Sequence, residues 1–213
     1  MEAVEINTGP GAEAAIVWLH GLGADGHDFE PIVPALSLAR PVRFVFPHAP
    51  VRAVTINQGM RMRAWYDILQ LGPGPEDESG IRASQRLVEE LLEAEKKRGA
   101  KRIVLAGFSQ GGAIALQTAL RHGERLAGVL ALSTYLPLAA AVDGERSVAN
   151  RDVPIFMAHG QHDEIIPLSR AEQSRQLLER LGYPVQWKAY PMAHAVCPPE
   201  VADMARFLGE VLS

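Results

Sequence analysis

The sequence predicts an α/β protein with a mostly parallel central sheet and helices on both faces. Two observations carry that prediction. Short apolar runs of strand type alternate along the chain with stretches whose apolar residues recur at helical spacing, and most of the connections are short. One strand-to-helix junction is Gly107-Phe108-Ser109-Gln110-Gly111. A strand that turns straight into a helix forces its corner residue into strained geometry, so the residues two positions to either side must be small, as Gly107 and Gly111 are.

Taken in order, Ala14 to Leu19 is a continuous apolar run, as expected of a strand buried on both faces, and it empties into His20-Gly21-Leu22-Gly23-Ala24-Asp25-Gly26. Phe29 to Leu38 reads as a short helix with Pro31 in its first turn, and Val42 to Pro47 as a strand. Ala49 to Gly80 follows no clear period, yet it holds Trp65, Tyr66, Ile68, Leu69 and Leu71. Aromatic content argues against disorder, so a functional loop is expected there. Ile81, Leu87, Val88, Leu91 and Leu92 return at helical spacing, with Ser79 near the N-cap, Glu76-Asp77-Glu78 on the favourable side of the dipole and Gly99 as the stop. Ile103 to Ala106 is the strand before the elbow, and Ala113 to Leu120 the helix after it, stopping at Gly123. Leu126 to Ser133 and Val153 to His159 are further strands, and the loop Thr134 to Asp152 between them is too short for a cap domain. A helix marked by Gln173, Leu177, Leu178 and Leu181 ends at Gly182, and then come a strand, Val185 to Tyr190, and a last helix, Val201 to Leu212.

With 213 residues, 47% of them hydrophobic, the chain is long enough for one sizeable core and too short for two ordinary domains, so a single domain over residues 1–213 is expected. A formal net charge of −4 removes the electrostatic case for nucleic-acid or anionic-membrane binding. The cluster Lys96-Lys97-Arg98 ends a helix, where cations complement the dipole. A lone cysteine, Cys197, excludes an intrachain disulfide and leans towards a reducing compartment. Residues 1–11 lack a charged-then-apolar signal and no apolar run approaches a membrane span, so a cytoplasmic chain without stable membrane insertion is expected. The sequence leaves a homodimer open.

Ser109 is the candidate nucleophile. At a helix N-terminus its oxygen lies among unpaired N–H groups and the positive end of the helix dipole, which suits an oxyanion formed during acyl transfer. The glycine-rich loop after the first apolar strand offers a second donor, the N–H of Leu22, to pair with that of Gln110. It contains no G-x-x-x-x-G-K-[ST], so a phosphate-binding loop is not indicated. A serine hydroxyl needs a base, and the base a carboxylate that fixes its tautomer. Asp163 and His194 follow successive strands downstream, in the chain order Ser, Asp, His. Glu164 is the nearest rival for the acid; His20, His27, His48, His122, His159 and His162 are rivals for the base. The cluster His159-x-x-His162-Asp163 lacks a second set of ligands, so no metal is expected, and Cys197 is expected to be a buried, inert thiol.

The chain resembles the phospholipase/carboxylesterase family, which includes bacterial carboxylesterases and acyl-protein thioesterases. Leu19-His20-Gly21-Leu22-Gly23, Trp65-Tyr66-Asp67, Glu76-Asp77-Glu78-Ser79-Gly80-Ile81 and Gly107-Phe108-Ser109-Gln110-Gly111-Gly112 all look like that family's signatures, as do Leu126-Ala127-Gly128, Leu132-Ser133 and Leu136-Pro137-Leu138. Ala193 and Ala195 depart from the family's frequent Gly before the histidine and polar residue after it. The resemblance implies an α/β-hydrolase fold, a triad of Ser109, Asp163 and His194, oxyanion donors at Leu22 and Gln110, and hydrolysis of carboxylic esters or thioesters without a cofactor. It also implies an acyl groove built partly from the irregular stretch, for which Trp65, Leu69 and Leu71 are the candidate lining. The expectation is therefore a serine carboxylesterase acting on small acyl esters or thioesters through an acyl-enzyme. Acyl-protein thioesterase or lysophospholipase is the alternative of the same chemistry, and a non-catalytic acyl-binding protein the alternative of another class.

Overall fold

The computed structural model describes residues 1–213 except positions 71 and 73. Along the chain run β1 (Ala3–Asn7), β2 (Ala14–Leu19), α1 (Ile32–Leu36), β3 (Val42–Pro47), β4 (Val51–Val54), β5 (Met60–Arg63), α2 (Glu78–Lys97), β6 (Arg102–Phe108), α3 (Gln110–Arg121), β7 (Gly128–Leu132), α4 (Val142–Glu145), β8 (Ile155–Gly160), α5 (Leu168–Arg180), β9 (Val185–Tyr190) and α6 (Pro198–Val211). Seven strands form one sheet in the order β1-β3-β2-β6-β7-β8-β9. Only β1 runs antiparallel to its neighbour, and β4 and β5 form a separate hairpin.

Two cores follow from the alternation of side chains across the central strands. On one face Ala15, Val17 and Leu19 pack with Val88 and Leu92 of α2, Ile114 and Leu116 of α3 and Leu178 of α5. On the other, Ile16 and Trp18 pack with Leu36 of α1 and with Met204, Phe207 and Leu208 of α6. Register then decides where chemistry can sit. Leu19 pairs with Gly107, Phe108 with Leu132, Leu132 with Ala158 and Gly160 with Tyr190, so the carboxyl ends of β2, β6, β7, β8 and β9 line one edge. Loops leaving that edge can meet across the sheet.

Several expected elements differ. The helix expected over Phe29 to Leu38 is only Ile32–Leu36; Ser37, at φ 44°, ends it. The stretch read as irregular contains the β4–β5 hairpin, whose strands of four residues are largely exposed and so show no apolar alternation. β1 is not apparent in the sequence because an edge strand of this length carries only Val4 and Ile6 as a weak apolar pattern. The N-cap of α2 is Asp77, two residues before Ser79, and its carboxylate accepts the Gly80 N–H at 2.9 Å. The β7–β8 connection holds α4 and two single helical turns and no cap-sized insertion.

Candidate active site

Ser109 stands between β6 and α3 at φ 55° and ψ −121°. Two backbones cross so closely here that side chains are excluded. A β-carbon on Gly107 would lie 2.4 Å from the carbonyl of Gly111, and one on Gly111 only 2.2 Å from the Leu19 oxygen. The corner is pinned on both sides: the Ser109 N–H donates to the Leu132 carbonyl (2.9 Å), and Thr134 Oγ1 donates to the Ser109 carbonyl (2.7 Å).

Asp163 and His194 come to the same place. His194 Nε2 is 2.9 Å from Ser109 Oγ, and its Nδ1 is 2.7 Å from Asp163 Oδ2. The other carboxylate oxygen, Oδ1, accepts the N–H groups of Ile165 (2.9 Å) and Ile166 (2.8 Å). An ionised carboxylate only accepts, so Nδ1 bears the imidazole proton and Nε2 is free to accept the serine hydroxyl. The loops carrying Asp163 and His194 are stitched together. Gln161 N–H donates to Tyr190 O (2.8 Å) and His162 N–H to Met192 O (3.0 Å), while a β-carbon on Gly160 would strike the Ala193 oxygen at 2.2 Å. The Phe108 ring packs on the His194 ring, centroids 4.8 Å apart.

Of the other candidates, none takes the place of Asp163 or His194, although His159 lies against Asp163. Glu164 is exposed, and His122 caps the far end of α3. Cys197 is half-buried rather than buried, at the N-cap of α6. Glu93, His122 and Glu124 bring possible ligand atoms within 4.8 Å of one another at the opposite end of α3 from Ser109, where the Lys96 ammonium already pairs with Glu124.

Leu22 and Gln110 both border the space beside Ser109, and among the described residues no acceptor takes either backbone N–H. What holds them was hidden in the sequence. The Gln110 amide accepts the Trp65 N–H (2.8 Å) and donates to the Tyr66 carbonyl (2.7 Å), and Trp65 Nε1 donates to the His20 carbonyl (3.0 Å). His20 itself donates from Nδ1 to Gly21 O (2.7 Å) and accepts the Ala49 N–H at Nε2 (3.0 Å). That tautomer is neutral, and burial holds its pKa below the usual imidazole value. Arg63 braces the same loop: its carbonyl accepts the Gly23 N–H (2.9 Å) and its guanidinium donates to Ala49 O (3.0 Å).

Trp65, expected in the groove, is instead fully buried in the core, with its carbonyl taken by the Ser84 hydroxyl. Its indole N–H finds an acceptor only in the folded loop, which composition does not reveal. The groove beside Ser109 has a volume of about 290 Å³ and is lined by Leu22, Ile56, Tyr66, Leu69, Gln110 and Tyr135, among others. Leu69 thus lies where expected, while Leu71 falls outside the described residues. The Tyr66 and Tyr135 hydroxyls share a hydrogen bond of 2.8 Å, and burial pushes both phenols above their ordinary pKa. A larger open depression at the opposite sheet edge, near Arg102, Pro154 and Pro184, holds none of these groups.

A family model described as phospholipase/carboxylesterase matches residues 2–212. The chain belongs to the phospholipase/carboxylesterase family. Members similar to it include the acyl-protein thioesterase 1 of Gibberella zeae, 39% identical over 93% of this chain and 91% of that one, and that of Mycosarcoma maydis, 38% identical with the same coverage. Among solved structures, Arabidopsis thaliana SOBER1 superposes with a TM-score of 0.89 at 27% identity, covering 94% of this chain and 99% of that one. The acyl-protein thioesterase 2 of Zea mays superposes with a TM-score of 0.88 at 28% identity, covering 100% of both. The family's α/β-hydrolase fold is the fold described above. Among the described residues no helix is long and apolar enough to cross a membrane.

Proposed function

We propose that this family member is a serine hydrolase that cleaves acyl thioesters through an acyl-enzyme. The observation that carries the proposal is the unbroken line Asp163–His194–Ser109, with spacings of 2.7 and 2.9 Å, opening on an apolar groove. In this reading Ser109 Oγ attacks the acyl carbon as His194 Nε2 takes its proton, and Asp163 stabilises the imidazolium. The N–H groups of Leu22 and Gln110 receive the charge that develops on the acyl oxygen. His194 returns the proton to the departing sulfur, and water repeats the sequence to release the acid.

Thioesters are favoured over the carboxylic esters expected from the sequence because relatives at 36–39% identity carry the name acyl-protein thioesterase 1. The carboxylic ester remains the second reading, supported by the family's own description. An S-acylated peptide and an oxygen ester of the same acyl group distinguish them. The expected result is a higher kcat/KM on the thioester beyond its greater intrinsic reactivity, with both activities lost in Ser109→Ala. Equal or inverted preference, after that correction, returns the assignment to the carboxylesterase. Absence of Ser109-dependent turnover on either substrate, together with no labelling by a fluorophosphonate, leaves the acyl-binding protein.

A further inference from the structure

The acid of this site touches a second imidazole. His159, near the end of β8, is fully buried; its Nε2 lies 2.8 Å from the Ile166 carbonyl and 3.3 Å from Asp163 Oδ2, the oxygen that also faces His194. A carbonyl only accepts, so Nε2 carries the proton and Nδ1 does not. That Nδ1 is buried with no partner among the described residues. Ile166 closes the arrangement, since its N–H donates to Asp163 Oδ1 while its carbonyl accepts from His159. The Asp163 carboxylate thus accepts an N–H from each of Ile165, Ile166 and His194, and His159 Nε2, whose proton goes to the Ile166 carbonyl, lies against Oδ2 at 3.3 Å.

Around the ring, the charged and titratable groups are Asp163 on its own loop, His194 on the loop after β9 and Glu172 on α5, with the Trp187 ring of β9 stacked at 6.5 Å. Burial is the largest influence and holds the ring below the ordinary imidazole pKa, so it is neutral where the enzyme is expected to work. A side chain that served packing alone would leave no buried nitrogen unpaired, because an apolar residue of this size avoids that cost.

We propose that His159 is a positioning residue for the acid: its Nε2–H holds the Ile166 carbonyl and with it the turn from Asp163 to Ile166, whose N–H groups grip Asp163 Oδ1, so that the carboxylate meets His194 in one orientation. The proposal rests on the reading of Ser109, His194 and Asp163 as the triad. It is tested with two polar replacements in the full chain. The amide nitrogen of His159→Gln reaches the position of Nε2, whereas that of His159→Asn reaches only as far as Nδ1. His159→Gln is expected to keep kcat within about 3-fold, and His159→Asn to lower it about 10- to 100-fold with KM little changed. In His159→Asn the acid limb of the kcat/KM profile also moves to higher pH, because a turn no longer held at Ile166 presents weaker N–H donors to Asp163 Oδ1, and a carboxylate less well neutralised stabilises the His194 imidazolium more. Equal loss in both variants with an unmoved limb, a loss carried by KM, or wild-type rates in both would overturn it. Should the Asn variant not fold, the ring nitrogens of the unaltered protein decide by ¹⁵N NMR: a protonated Nε2 and a bare Nδ1 on His159 are expected, and the opposite tautomer refutes the proposal. Loss of Ser109-dependence in the parent protein would instead sink the triad itself.

Discussion

At Ser109 the chain holds a β-branchless but still side-chain-bearing residue at φ 55° and ψ −121°, a region that glycine occupies freely. Holding a β-carbon there costs on the order of 1–3 kcal/mol, so presenting the Ser109 hydroxyl and stabilising the fold pull in opposite directions. Ser109→Ala and Ser109→Gly are both expected to lower turnover by several orders of magnitude while staying folded. They should differ in stability. Ser109→Gly, freed of the strain but with a more flexible unfolded chain, is expected to exceed Ser109→Ala by about 1 kcal/mol in urea denaturation. Matching midpoints would mean that the corner stores no strain. Asp163→Asn is expected to cut kcat by about 10⁴ through the wrong His194 tautomer, whereas Glu164→Gln leaves it within about twofold; the reverse order would reassign the acid.

At the scale of elements, the approach of α3 to the ends of β2 and β6 is set by absent side chains. The β-carbon of Gly111→Ala would meet the Leu19 carbonyl, part of a backbone that cannot yield, so this change is expected to cost about 3 kcal/mol. Gly123→Ala, with nothing within 4 Å, should stay within about 0.5 kcal/mol. A urea midpoint for Gly111→Ala close to that of Gly123→Ala would show that α3 can slide. The sequence made this junction legible because a strand, a helix and small residues at fixed spacing admit few geometries. Asp163 and His194 were legible for a related reason: both follow strands that end on the same edge as Ser109. Trp65 was not, since an aromatic in an irregular stretch looks the same whether it faces a groove or the core. Its partners, His20 and Gln110, are each 45 residues away in the chain. Gln110 was legible as a backbone donor but not as the side chain that ties Trp65 and Tyr66 to α3, because a local pattern carries no information about which distant amides need partners.

For the whole molecule, the clearest pH signature belongs to Glu200, fully buried in the first turn of α6 with Oε1 unpaired among the described residues. Burial pushes its pKa up to about 7 from the ordinary value of 4.5. The folded protein then binds more protons than the unfolded chain between those values, so this group's contribution falls as pH rises through that window. Replacing it by Glu200→Gln should leave stability unchanged near pH 4.5 and raise it by up to about 3 kcal/mol above pH 7, measured as urea midpoints. An advantage that shrank with rising pH would contradict this. His20 and His159, both held below the ordinary imidazole value, act in the other direction, and their contribution is lost as pH falls below about 6.5. We also expect residues 1–213 to unfold as one unit, with calorimetric and van't Hoff enthalpies equal; two resolved transitions would divide the chain. The backbone bonds from Gln161 to Tyr190 and from His162 to Met192 bear on how such a molecule fails locally. Since Asp163 and His194 hang on the same pair of bonds, neither loop can swing out alone, and the Gln161 and His162 amides should exchange with deuterium at one common rate. On the proposed mechanism the line Asp163–His194–Ser109 therefore disconnects in a single event, and an exchanging population is wholly idle rather than half competent.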